Sequence, residues 1–188
     1  MKPTVAQVAL ALIAPQVASE KECPASPDHI ANIDALIAQT QSATSERDAR
    51  VIAGQMWQYW TDAPDARAQT LLDRGMARRE AWDLLGALEE LDALVGYCPD
   101  YAEGYNQRAF VNYLRQDYGA ALIDLDRAIA LSPNHVAALS GRALSLLGLN
   151  RLDEARAALT GALELNPWLS ERALLAPGGL LDPPGEDI

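Results

Sequence analysis

Three prolines, Pro99, Pro133 and Pro167, stand 34 residues apart, and that interval constrains the fold more than any other feature of the chain. Aligned on them, residues 68–101, 102–135 and 136–169 form three blocks with no insertion. In register across the blocks stand Leu71, Tyr105 and Leu139, then Arg74, Arg108 and Arg142, then Gly75, Ala109 and Ala143. Leu84, Tyr118 and Leu152 follow, then Ala87, Ala121 and Ala155, then Leu91, Leu125 and Leu159, with Leu94, Ala128 and Ala162 ahead of each proline. A fixed period of this length marks a solenoid, in which each unit buries its apolar face against its neighbours. The apolar content of 49% is rich in Ala and Leu, which favours helix over strand.

The pattern resembles the tetratricopeptide-repeat family. That family has a large residue at position 4, small ones at 8, 20 and 27, an aromatic or Leu at 17 and 24, and Pro at 32. The resemblance covers residues 68–169 and implies an all-α, right-handed α-solenoid of antiparallel helix pairs, A and B, in three units. Departures are Arg74, Arg108 and Arg142 at position 7, Leu94 at 27, and Arg78 and Asn112 at 11. The physical logic is independent of the family. Small residues at 8 and 20 let two helix axes approach closely, and the large ones fill the space around that contact. Proline cannot continue helix B and so fixes the turn into the next unit.

Acid and arginine come and go together at the block boundaries. Asp92 and Asp126 share position 25 and precede Arg108 and Arg142 on the next helix A, whereas Thr160 at position 25 is followed by Ala176 where an arginine would stand. The expectation is a structural ion pair across each boundary, Asp92–Arg108 and Asp126–Arg142; solvated arginines are the alternative.

The flanks lack the consensus. Residues 20–67 read as an atypical N-terminal helix pair that caps the open end of the solenoid. Ser26-Pro27 looks like a helix start, Ile30, Ile33, Leu36 and Ile37 form an apolar stripe, and Ser45-x-x-Asp48 resembles a capping box ahead of Val51, Met56, Trp57 and Trp60. Asp62 and Pro64 read as the start of the first helix A. Trp57, Tyr59 and Trp60 read as closing a core, with a ligand platform as the alternative. At the other end, residues 170–188 read as a short capping helix, continuous with Trp168, and a flexible acidic tail after Pro177-Gly178-Gly179.

Lys2, the apolar run Val5–Ala14 and the small residues Val17-Ala18-Ser19 have the plan of a signal peptide over residues 1–19. The expected location is therefore periplasmic or secreted, with a frayed helix on a cytoplasmic protein as the alternative and no membrane insertion after cleavage. Cys23 and Cys98 permit one disulfide in such a compartment. A net charge of −11 argues against nucleic acid as a partner.

No catalytic constellation is visible. Ser140-Gly141 lacks the context of a nucleophile elbow, no Gly-rich loop follows a strand, and His29 and His135 with two cysteines do not make a metal site. No cofactor is implied. What remains is the concave helix-A face, which in the resembled family binds partners. On this chain that implies partner-binding residues Met76, Arg79, Asn106, Phe110, Tyr113, Leu144 and Leu147, with Phe110 and Tyr113 central. The expected function is a non-catalytic adaptor or scaffold for a protein or peptide. A structural unit that stacks through its solenoid ends, forming a homo-oligomer, is the reading from another class.

Overall fold

The computed structural model describes residues 22–183. The expectations for residues 1–19 and for the last five residues of the tail lie outside them. Eight α-helices follow in order among the described residues: α1 Ile30–Ser42, α2 Glu46–Trp60, α3 Ala66–Glu80, α4 Leu84–Tyr97, α5 Ala102–Leu114, α6 Tyr118–Leu131, α7 Val136–Gly148 and α8 Leu152–Leu165, then a 3-10 turn at Ser170–Leu175. None of them is long and apolar enough to cross a membrane.

The three blocks become three helix pairs. α3–α4, α5–α6 and α7–α8 pack within each pair, and α4–α5 and α6–α7 pack between pairs. α5 also touches both α3 and α7, so the A helices form the inner layer and the B helices the outer one. The small residues act as expected: Ala87, Ala121 and Ala155 are fully buried, and a Cβ on Gly75 would stand 2.7 Å from Leu91. Each A–B turn closes through a residue with left-handed backbone, Trp82 (φ 64°), Gln116 (φ 63°) and Asn150 (φ 58°). The amide just past that residue then returns to a carbonyl in the last turn of helix A, as from Asp83 to Arg78 and from Asp117 to Asn112. Asp83 and Asp117 next cap the B helices by accepting from the Gly86 and Ala120 amides.

The N-terminal pair departs from expectation. α1 and α2 pack against each other, but they do not stack on α3 as an end cap. Instead Ile33, Leu36, Ile37, Met56 and Trp60 share a core with Val136, Ala137, Leu165 and Leu169 at the far end of the solenoid. Three polar ties fix the tip there: Gln41 donates to the Glu164 carbonyl, Asn134 donates to Asp34, and Arg172 bridges to Glu46 at 3.1 Å. The hairpin leaves and returns at one place, where Cys23, Ala63, Cys98 and Tyr101 cluster.

The reason lies on α3. Positions 3, 10 and 11 are buried in the second repeat as Gly104, Val111 and Asn112, and in the third as Ala138, Ser145 and Leu146. In the first repeat they are the exposed Thr70, Ala77 and Arg78. A polar face needs no cover, so the apolar stripe of α1 and α2 goes where apolar surface awaits it. Smaller differences follow locally. Helix α1 begins at Ile30, whose amide bonds to Asp28, and not at Pro27; α3 is capped by Asp65, not Asp62. Order also runs past Gly178-Gly179. Gly178 has φ 80°, a Cβ on Gly179 would collide with the Leu174 carbonyl, and the resulting turn returns Leu181 to full burial against α7 and α8.

Candidate functional site

The inner layer carries a buried polar chain under the hairpin. His135 is fully buried at the N-terminus of α7, where its Nδ1 accepts the Ala138 amide. That leaves Nε2 as the donor to Glu103, 2.8 Å away. Glu103, itself 1% exposed, also accepts from Asn106 and Gln107, and Gln107 accepts from Arg79. Trp60 stacks on the His135 ring at 4.3 Å between centroids, and the Tyr101 hydroxyl donates to the Trp60 carbonyl. Burial pushes the Tyr101 phenol far above the usual tyrosine range, with Glu103 and two aspartates adding to it. These contacts join α2, α3, α5 and α7.

Beside this chain the concave face stays open as a cavity of about 330 Å³. Its floor is small, with Ala109, Ala137, Ser140 and Gly141, and its walls are Trp57, Phe110, Tyr113, Leu144 and Leu169. Arg79 and Glu171 stand at its edge. The Arg79 guanidinium lies 4.9 Å over the Phe110 ring. Burial pulls it below the usual arginine range, against the attraction of Glu80 and Glu103. Tyr113 tilts against Tyr118, and burial raises its phenol.

Five of the expected partner-binding residues therefore meet at one place: Arg79, Asn106, Phe110, Tyr113 and Leu144. Met76 and Leu147 do not. Met76 packs, partly buried, against the core around Leu72 and Leu91, and Leu147 against the one around Leu146 and Leu159. Trp57 is the wall that the repeat pattern could not reveal, since it comes from outside the repeats. Its only trace in the sequence is the aromatic cluster at 57–60, with the ligand-platform alternative attached to it.

The expected ion-pair residues sit at the repeat boundaries. Arg108 meets Asp92 at 2.8 Å, but its bidentate partner is Asp124 of its own repeat, at 2.6 and 2.8 Å, with Asp124 almost fully buried. The hydrogen bonds to Asp124 hold this guanidinium above its ordinary range. Arg142 meets Asp126 at 2.7 Å. In the third repeat Ala158 stands where the second has Asp124, and the acid of that repeat that feels Arg142 is Glu154, whose carboxyl Arg151 and Arg142 hold low. Cys23 and Cys98 form a disulfide across a separation of 75 residues, at the root of the hairpin.

No protein-family model matches the chain. It is 29% identical over 130 residues to a tetratricopeptide-repeat-containing protein of Rhizobium etli, a match covering 69% of this chain and 63% of that one. It is 40% identical over 72 residues to a tetratricopeptide repeat protein 36 homolog of Nematostella vectensis, covering 38% of this chain and 40% of the relative. The chain thus spans less than two thirds of the curated relatives it matches. Among solved structures, the first repeat domain of Spaghetti (RPAP3) bound to an HSP90 peptide superposes with a TM-score of 0.55 at 23% identity, over 56% of this chain and 83% of that one. A repeat domain of yeast Sti1 in complex with an Hsp70 peptide gives 0.53 at 22%, over 54% and 81%. MamA of RS-1 gives 0.51 at 18%, over 76% and 78%. At these identities the likeness establishes the fold, an α-solenoid of helix pairs like those of tetratricopeptide-repeat domains.

Proposed function

We propose that this chain is a non-catalytic tetratricopeptide-repeat adaptor that binds a protein or peptide partner in the bacterial cell envelope. The observation that carries the reading is the aromatic-walled cavity on the concave face, where helix-A side chains of the second and third repeats converge with Trp57. Exposed aromatic side chains around an apolar recess are the kind of surface that takes up a partner's anchor residue. The fold-level neighbours RPAP3 and Sti1, which carry HSP90 and Hsp70 peptides, support a peptide as the class of partner. The Cys23–Cys98 disulfide supports an oxidising compartment, periplasmic or secreted.

Stacking through the solenoid ends is less well supported. The first repeat presents Thr70, Ala77 and Arg78 to solvent, and the last is sealed by Leu174, Leu175 and Leu181.

A crosslinked pull-down from native cell fractions, comparing wild type with Phe110→Asp/Tyr113→Asp, tests the reading. Phe110 is 44% exposed but Tyr113 packs partly against Tyr118, so helix content is measured first and the single Phe110→Asp variant is run beside the double one. A partner recovered by wild type and lost by a variant of unchanged helix content is the expected result. Identical recovery by both would move binding away from the concave face.

A further inference from the structure

The dimensions of the cavity decide what can enter it, and the following rests on the binding reading above. A docked helix or strand lies over a groove and inserts only its side chains, so the cavity volume measures what an anchor can fill. The cavity offers about 330 Å³. The wider lane of the groove is already filled, because Met56 and Trp60 with the α1 stripe pack over Val136 and Ala137. What remains suits one large side chain. Its depth comes from Ala109, Ala137, Ser140 and Gly141, and three of its walls are aromatic.

Two polar groups at the cavity have unused capacity. The Arg79 side chain is only 12% exposed, yet it meets Glu80 no closer than 3.6 Å and spends one nitrogen on Gln107. A guanidinium has five N–H donors, so several remain for an acceptor. Ser145 borders the same cavity, and its Oγ is buried with no hydrogen-bond partner. An extended peptide supplies free backbone carbonyls next to an inserted side chain, whereas a helix uses its carbonyls internally. The two charged residues lining the cavity, Arg79 and Glu171, are opposite in sign, which matches a neutral peptide backbone better than a charged ligand.

We infer that the cavity is a socket for a single large aromatic side chain on an extended segment of the partner, with a neighbouring backbone carbonyl accepting from Arg79. The hairpin thus sets specificity. By packing over Val136 and Ala137, it closes the neighbouring part of the groove and leaves this opening for one anchor.

The probes are N-acetyl-L-tryptophanamide, N-acetyl-L-alaninamide and 3-methylindole, titrated into the full chain and followed by amide chemical shifts. The tryptophanamide is expected to give saturable shifts at Phe110, Gly141 and Leu144, and the alaninamide to bind at least about tenfold more weakly, since it cannot fill the apolar space. 3-Methylindole has the ring without the carbonyl. Binding weaker than that of the tryptophanamide supports the peptide segment; equal binding overturns it in favour of a free aromatic molecule. Ser140→Leu fills the floor and Phe110→Ala removes a wall, and each should weaken the tryptophanamide while the spectrum stays folded. No saturable shift in wild type, or unchanged affinity in both folded variants, would overturn the socket. Failure here is distinct from failure of the adaptor reading. A partner captured through Phe110 without probe binding keeps the adaptor and removes the socket, and probe binding with no captured partner does the reverse.

Discussion

The repeats and the N-terminal hairpin are built on opposite principles. Every helix from α3 to α8 packs chiefly on its neighbours in sequence, so the same small and large positions serve three times. The hairpin is tied to residues 100 to 126 positions away, through side chains that occur once each. Local repetition makes the first region self-consistent and readable. The second is placed only by the surface that the finished solenoid leaves uncovered. An atypical flank of a solenoid, then, need not be an end cap; where the first repeat already presents a polar face, the flank is free to shape the groove.

The largest effect expected in the repeat region follows from orphaning a buried acid. Arg108→Ala leaves Asp124, almost fully buried, without its bidentate partner, and should cost about 3 kcal/mol in denaturant unfolding. The loss should be global, since the second repeat lies between the other two. For the hairpin, Cys23→Ser/Cys98→Ser releases the root of a 75-residue closure and should cost about 2–4 kcal/mol. The contrast with the repeats would sharpen if hydrogen exchange rose first in α1 and α2 and left α5 and α6 protected. Uniform loss of protection would erase it.

Ala121 is fully buried at the α5–α6 crossing, and Ala121→Leu should destabilise by about 1–3 kcal/mol through overpacking. An unchanged melting temperature would refute that crossing. The partly exposed Asp126–Arg142 pair should show a coupling of only about 0.2–1 kcal/mol in a double-mutant cycle.

How much of this was legible follows from the same contrast. The helix pairs and the close approaches at Gly75, Ala121 and Ala155 follow from one repeated spacing, whereas the inner layer carrying Phe110 and Tyr113 rests on the family resemblance. The direction of the hairpin follows from neither, although a trace existed: Thr70 and Arg78 are polar where the third repeat buries Ala138 and Leu146. Leu181 leaves no such trace, because a single residue after a glycine pair carries no period. Asp124 escapes a comparison made only across repeat boundaries, since it pairs with Arg108 inside one repeat. Trp57 could be seen as part of an aromatic cluster, but its place at the cavity depends on a fold-back that no local pattern encodes.

The smallest effect concerns the tip of the hairpin. Hydrogen bonds from Arg172 and Arg50 hold the Glu46 carboxyl below its ordinary value of 4.5. A lowered folded-state value means that this tie contributes above the unfolded value and is lost as pH falls through the folded one. Carboxyl titration by NMR should place Glu46 below 4.5, and Arg172→Ala should raise it while leaving Glu154, held by Arg151, where it was.

The hairpin lies across the concave face, and through-space proton contacts test that placement most directly. The structure predicts contacts between the Trp60 and His135 rings, and between the Leu36 and Ile37 methyl groups and Val136, Leu165 and Leu169. Contacts from those same methyl groups to Thr70, Leu71 and Ala77 of α3, with none to Val136, would put the hairpin on the end of the solenoid and contradict it.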